Sequence, residues 1–168
     1  CRWYFYTINQ PGDSKLFSEK EVDIVFKKFI LIFWNCFQFF QSYREEASFK
    51  ASLKAKNLLD KWIVSKLNSL IEETTLKLEQ YDITGAARAI EDFVVNDFSL
   101  WYVRRSRKRF KEAAGTLVFV LQTTARLAAP FIPFLSEEIY QKLFNYSLSG
   151  SKSVHLEDWP KPDKKKID

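Results

Sequence analysis

The chain has 168 residues, 46% of them hydrophobic, and only two cysteines, which fits one globular domain and excludes a disulfide-stabilised scaffold. It carries 26 Lys and Arg against 21 Asp and Glu, and five of these bases lie within residues 104–109, so the rest of the chain is electrically balanced. The lack of disulfides predicts a reducing, cytoplasmic environment. There is no Met, so we expect a piece of a longer protein.

The first long helix is predicted to follow a turn at residues 11–14. Residues 15–84 contain neither Gly nor Pro, which favours helices over strands, and Ser18 with two glutamates in the next three positions is typical of a capping box. The apolar run at residues 29–40 is much shorter than the roughly twenty residues that cross a bilayer. We therefore predict a buried helix and no membrane partner.

Two further helices are predicted on either side of a break at residues 81–85. Residues 42–57 are polar and are predicted to form a connector. Apolar residues then recur at three- and four-residue spacing from Leu59 to Tyr81, which indicates an amphipathic helix. The next helix begins near Ala87 and continues into a cationic segment after Trp101.

That cationic segment predicts a binding site for a polyanion. The basic cluster consists of Arg104, Arg105, Arg107, Lys108 and Arg109. Helical spacing places Trp101 on one face with Arg104, Arg105 and Lys108, so a ring and several charges project together. The ring either stacks on bases or packs in the core. If all five bases neutralise a phosphate, log affinity falls with log salt at a slope of roughly −3.5 to −4.5.

Other interpretations of this segment stay open. The bases also suit the solvated C-terminal end of a helix, or a surface that docks an acidic protein. A membrane-surface role is disfavoured because the bases lie at a helix end rather than along a face. Asp97 either orients a guanidinium or is an ordinary surface partner, and Lys66 and Arg88 are either secondary phosphate contacts or plain surface charge.

The remaining elements complete an all-α bundle of about five helices. A fourth helix is predicted at residues 113–129, and Pro130 and Pro133 end it. A fifth begins near Ser136, and the tail from residue 147 is predicted as loop with a short extended piece at residues 153–156.

No catalytic or metal-binding residues are predicted. His155 is the only histidine, and with two distant cysteines it does not give the spacing of a zinc site. Neither common glycine-rich phosphate loop is present. The adjacent acids Glu91 and Asp92 point to different helix faces, so we interpret them as surface charge.

Several runs, in order, resemble the anticodon-binding domain of class Ia aminoacyl-tRNA synthetases, specifically the isoleucine branch. They are Asp60–Ile71, Tyr81–Val95, Trp101–Arg107, Pro130–Tyr140 and Ser153–Pro160. The start of the chain, from Arg2, is similar to the family's junction between catalytic core and bundle. Valine and leucine enzymes share the architecture, so the assignment to the isoleucine branch depends mainly on the third and fifth of these runs. Leu100 departs from the family, which usually has Asn there.

The resemblance implies a bundle that grips the anticodon stem and loop of an isoleucine tRNA, with no DNA partner. It assigns residues 1–17 to the end of the catalytic core or its junction, 18–146 to the bundle and 147–168 to a tail. The contact residues implied are Trp101 and the basic cluster. The parent enzyme would use ATP and Mg²⁺ in a catalytic domain that, like the editing domain, is not in this sequence, so the chain alone should catalyse nothing and need no cofactor.

Overall fold

The computed structural model describes residues 1–10, 12–14, 16–44, 57–144 and 153–166, and within these ranges the regular structure is helical. A short helix precedes five long ones, which confirms the predicted all-α bundle. The helices are α1 (Arg2–Thr7), α2 (Glu19–Val25, Phe26–Ile30 and Leu31–Tyr43 in succession), α3 (Leu58–Glu79), α4 (Ile83–Asp92, Phe93–Val103 and Arg104–Ser106 in succession), α5 (Phe110–Ala128) and α6 (Pro133–Phe144). The middle stretches of α2 and α4 have π-helical hydrogen bonding.

Helix α2 is the predicted buried helix. Ser18 is its N-cap, although the Ser18 side chain makes no capping hydrogen bond. Phe29, Phe33, Phe37 and Phe40 recur at four- and three-residue spacing and are at most 1% exposed, so one face lies in the core. No helix in the described ranges is long and apolar enough to cross a membrane. Most of the predicted connector, residues 45–56, lies outside the described residues.

The predicted break between α3 and α4 is a helix stop followed directly by a helix start. Tyr81 takes a left-handed φ of 60°, and the backbone amides of Tyr81 and Asp82 donate to the carbonyls of Leu78 and Lys77, which satisfies the end of α3. The Asp82 carboxylate then accepts from the Gly85 amide at 2.9 Å and caps α4. A Cβ at position 85 would lie 1.9 Å from an Asp82 oxygen, so this cap needs glycine.

Helix α5 crosses the centre of the bundle and begins three residues before the predicted start. The difference arises at Phe110, which is 4% exposed and packs against Phe39, Phe40 and Tyr43 of α2 at ring-centroid distances of 5.5–6.1 Å. Burial of this ring favours extending the helix to include it, because a buried backbone needs its hydrogen bonds satisfied. Most of α5 is buried around its circumference, as its composition predicts.

The tail folds back over the bundle, and the extended piece predicted at residues 153–156 is wrong. Val154–Leu156 is a 3₁₀ turn because Glu137 of α6 accepts hydrogen bonds from the Val154 amide at 2.8 Å and the Ser153 hydroxyl at 3.1 Å. Further on, the Trp159 indole donates to Thr75 of α3 at 2.8 Å. These contacts hold the described tail against α3 and α6.

Helix α1 is held against α4 by Glu91, an acid that its sequence position predicts to be surface charge. Glu91 of α4 is 8% exposed, accepts from the Trp3 indole at 3.2 Å, and pairs with Lys28 at 2.5 Å. The surface assignment of Glu91 was wrong because α1 covers that side of α4. Trp3 itself is 3% exposed and belongs to the core.

Candidate nucleic-acid interface

Four of the five residues of the basic cluster, at and just after the end of α4, are free of carboxylate partners among the described residues. The α-helical part of α4 ends at Ser106, and Arg107–Arg109 continue as a 3₁₀ turn before α5 begins. Arg104, Arg105, Arg107 and Lys108 are exposed, and within the described ranges none of them forms an ion pair with a carboxylate. Their charge is therefore available to a ligand.

Arg109 is different, because it belongs to a buried ion pair. Its Nη1 and Nη2 donate to the two oxygens of Asp60 at 3.0 and 2.6 Å, and the Arg109 side chain is only 17% exposed. The hydrogen bonds that Arg109 donates to Asp60 raise the pKa of Arg109 above its usual value. Arg109 was predicted to contact phosphate, but the structure places its guanidinium between α3 and α4, where both terminal nitrogens already have partners.

The same carboxylate also holds Tyr102, which lies in α4. The Tyr102 hydroxyl donates to Asp60 Oδ1 at 2.6 Å, and Nη2 of Arg109 also reaches the Ser106 hydroxyl at 3.2 Å. Burial, with the neighbouring Asp60 as the next cause, raises the pKa of Tyr102, so this hydroxyl stays protonated as a donor. Asp60, Tyr102 and Ser106 are each at most 3% exposed.

Trp101 lies on the surface rather than in the core. Its side chain is 48% exposed, and the Arg105 guanidinium stacks over the ring with Cζ 3.4 Å from the centroid. The ring of Trp62 on α3 lies 6.2 Å away, tilted by 51°. Exposed cation–π contacts of this kind are worth about 0.5–1 kcal/mol. Trp101 therefore has one ring face covered by a cation, while about half of the residue stays exposed.

The carboxylate of Asp97 neutralises a lysine and orients no guanidinium among the described residues. Lys66 Nζ lies 3.7 Å from Asp97 and 6.0 Å from the Trp62 ring centroid. Burial raises the pKa of Asp97, and the charge of Lys66 opposes that rise. Of the two interpretations of Asp97, ordinary ion-pair partner is the one that the geometry fits. Lys66, a candidate secondary contact, is half exposed and already partly neutralised.

Arg88, the other candidate secondary contact, is occupied by protein. Its Nε donates to the Thr7 carbonyl at 2.9 Å and its Nη2 to the Ile8 carbonyl at 2.8 Å. These carbonyls end α1, where a cation satisfies unpaired acceptors and favours the helix dipole. Arg88 therefore joins α1 to α4 in the folded chain.

The residue that sequence reasoning missed is Asp60. It occurs three and four positions before the buried Ile63 and Val64, so helical spacing places an acid on the buried face of α3. A carboxylate on such a face needs a buried cation or several donors. The signal was therefore present in the sequence, although the partner lies 49 positions away.

The described residues offer no assembled centre for metal chemistry. Among them, no group of three or more His, Cys, Asp or Glu side chains is close enough to hold a metal ion. His155 is exposed, and the two cysteines are unpaired, with Cys1 exposed and Cys36 buried. Burial raises the pKa of the Cys36 thiol to about 12, so this cysteine is an inert part of the core.

Comparison with known proteins identifies the family of this chain. Residues 60–168 match the family described as the anticodon-binding domain of tRNA ligase. The chain is 44% identical to an isoleucine–tRNA ligase of Dehalococcoides mccartyi, over 99% of this chain and 18% of that protein. It is 41% identical to the isoleucine–tRNA ligase of Clostridium novyi, over 99% of this chain and 17% of the relative. The chain thus spans about a sixth to a fifth of these relatives.

A solved structure shares the fold. The chain superposes with a TM-score of 0.66 and 20% identity on the Agrobacterium radiobacter protein in a ternary LeuRS–tRNA–LeuAMS complex, covering 99% of this chain and 20% of that one. At this identity the likeness concerns the fold alone. The sequence match over residues 60–168 includes α3 to α6, the basic cluster and its buried ion pair. The chain therefore belongs to the family of anticodon-binding domains of tRNA ligases.

Proposed function

We propose that this chain binds the anticodon stem and loop of an isoleucine tRNA as one domain of an isoleucine–tRNA ligase. One observation carries the proposal: four exposed bases without an acidic partner among the described residues follow a half-exposed Trp101 closely in the chain, at and just after the end of α4. Single-stranded RNA loops are recognised by stacking on aromatic rings, while Arg and Lys hold the phosphates. The isoleucine part of the proposal is supported by relatives at 39–44% identity.

The parent enzyme, under this proposal, attaches isoleucine to its tRNA in the cytoplasm with ATP and Mg²⁺. That chemistry belongs to a catalytic domain outside the chain described here. The contribution of this domain is therefore affinity and selection of the tRNA. The proposed phosphate contacts are the four bases without a carboxylate partner among the described residues: Arg104, Arg105, Arg107 and Lys108. Trp101 is the proposed stacking surface.

An apolar groove at the other end of the bundle is the proposed contact with the rest of the ligase. It has a volume of about 650 Å³, and its lining includes Cys1, Phe26, Phe131 and Phe134. Phe134 is 90% exposed and Phe26 is 47% exposed, which is unusual for rings of this size. The relatives are five to six times longer than the matched region, so we propose that their catalytic part covers this groove.

The proposed roles of the groove and of the basic cluster can be tested separately. In a full-length ligase, Phe134→Ser should reduce aminoacylation. The same substitution in the isolated chain should leave RNA affinity unchanged. Unchanged aminoacylation with Phe134→Ser would remove the groove from the proposal and leave the RNA site standing.

The direct test of RNA binding compares an isoleucine tRNA with the same tRNA carrying a substituted anticodon, at low and moderate salt. We expect tighter binding of the native tRNA, and loss of that preference when Arg104, Arg105 and Arg107 are replaced by Ala. Equal affinity for both tRNAs would restrict the basic cluster to backbone contacts. No binding at low salt would favour the alternative, a helical bundle that docks an acidic protein through the same cations.

A further inference from the structure

A single carboxylate holds the two flanks of the free cationic segment. Asp60, in the first turn of α3, accepts from the Tyr102 hydroxyl at 2.6 Å and from both terminal nitrogens of Arg109 at 2.6 and 3.0 Å. Tyr102 precedes Arg104 by two positions, and Arg109 directly follows Lys108. All four free bases of the cluster therefore lie between two residues that are bonded to the same side chain.

The geometry of these bonds makes the attachment rigid. Two parallel bonds between Arg and a carboxylate fix the direction as well as the distance of the guanidinium. Asp60 is 3% exposed, so water does not compete for its oxygens, and removing one partner leaves a buried charge without compensation. The bonds also cross from α3 to α4 and to the 3₁₀ turn that follows it, so they connect separate elements of the bundle.

The segment between the two flanks needs such an attachment because its backbone changes form there. The α-helical hydrogen bonding of α4 ends at Ser106, and Arg107–Arg109 continue as a 3₁₀ turn. Arg109 has φ −124° and ψ 32°, outside the helical range, just before α5 begins. Short 3₁₀ runs have poorer hydrogen bonds than an α-helix, so side-chain contacts decide how this turn is held.

We propose that Asp60 is a positioning residue for RNA binding, which fixes the segment of residues 102–109 so that its four free cations face the RNA in one arrangement. This inference rests on the proposed function of the chain. A cationic surface that is already ordered loses less conformational entropy when it binds, and the saving appears as affinity. Asp60 acts through Tyr102 and Arg109 and makes no contact with RNA itself.

Electrostatics alone predicts the opposite effect, which makes the proposal testable. Asp60→Asn removes one negative charge and releases the Arg109 guanidinium, so long-range attraction to RNA increases. If Asp60 only neutralises Arg109, this variant binds RNA more tightly and with a steeper dependence on salt. If Asp60 positions the segment, the variant binds more weakly although its net charge is more positive.

The experiment measures binding of an isoleucine tRNA to the wild-type chain, Asp60→Asn, Arg109→Gln and the double variant, at a temperature where circular dichroism shows each to be folded. We expect each single variant to lose about tenfold in affinity, the loss typical of ordering one or two side chains on binding. The double variant should lose no more than either single one, because both changes break the same attachment. Equal or tighter binding by Asp60→Asn would overturn the proposal.

Two further variants guard the interpretation. Thr75→Val removes the hydrogen bond to Trp159 about 22 Å along α3 from Asp60, so it should lower stability without changing RNA affinity. If Asp60→Asn does not fold, Tyr102→Phe removes one flank while keeping the ring, and a loss of about threefold is expected. Unchanged affinity in Tyr102→Phe would then reject the proposal.

Failure of the wild-type chain to bind RNA would reject the proposed function instead of the positioning role of Asp60.

Discussion

The number of bases that contact RNA can be counted by salt titration, and Arg104→Gln is the sharpest single perturbation. The Arg104 side chain is exposed and has no carboxylate partner among the described residues, so its removal should not change the free energy of unfolding. Each neutralised phosphate contributes about −0.7 to −0.9 to the slope of log affinity against log salt. Arg104→Gln should therefore make the slope shallower by roughly 0.7–0.9.

The same relation gives the loss of affinity. Extrapolated from 1 M to 0.1 M salt, one missing phosphate contact corresponds to a loss of about five- to eightfold. Because Arg109 is held by Asp60, the wild-type chain should show a slope of roughly −2.8 to −3.6, for four contacts, rather than the −3.5 to −4.5 expected for five. Fluorescence anisotropy with a labelled anticodon stem-loop at five or more salt concentrations measures both values. A slope that Arg104→Gln leaves unchanged would refute the assignment of this residue.

Three other predictions concern the bundle that carries the site. Arg88→Gln should lower stability by about 1–2 kcal/mol, roughly 2–8 °C in Tm, and leave the salt slope unchanged, because both bonds of Arg88 go to the end of α1; a shallower slope would restore Arg88 as a phosphate contact. Phe98→Ala should cost about 3–5 kcal/mol in urea unfolding, because Phe98 is fully buried between the rings of Phe93 and Tyr102, and a cost below 1 kcal/mol would contradict this packing. Hydrogen bonds from Gln10 and the Gly85 amide lower the pKa of Asp82, so its stabilising contribution is present above about pH 4 and is lost as the pH falls through the lowered value. Asp82→Asn keeps a capping oxygen without this titration, so its unfolding free energy should depend less on pH between 5 and 2; equal dependence in both proteins would exclude Asp82 as a cause.

Local signals account for most of what the sequence predicts correctly. The spacing of phenylalanines in α2 and the break at residues 81–85 each depend on contacts within a few positions, which helical periodicity and turn chemistry describe. Helix boundaries differ from the predicted ones where a residue packs against a part of the chain that is distant in sequence. Helix α5 begins at Phe110 because that ring packs on α2, some seventy positions earlier in the chain.

The sequence predicts where the candidate site lies, but it does not predict which of its basic residues are bonded to other parts of the protein. The charge and its position after Trp101 identify the end of α4 from sequence alone. Which bases remain free depends on partners far away in the chain: Asp60 for Arg109, and the carbonyls at the end of α1 for Arg88. An acid in the first turn of a helix is common because it favours the helix dipole. The spacing of Asp60 to Ile63 and Val64 marks it as an acid on a buried face, but nothing near it in the sequence identifies Arg109 as its partner.

Under the proposed function, this domain holds a tRNA by its anticodon stem and loop. Nuclease footprinting of a full-length isoleucine tRNA with the wild-type chain tests this most directly, with the variant that has Ala at positions 104, 105 and 107 as the control. We predict protection confined to the anticodon stem and loop, and its loss in the variant. Protection centred on the acceptor end of the tRNA, or protection that persists in the variant, would rule out this mode of binding.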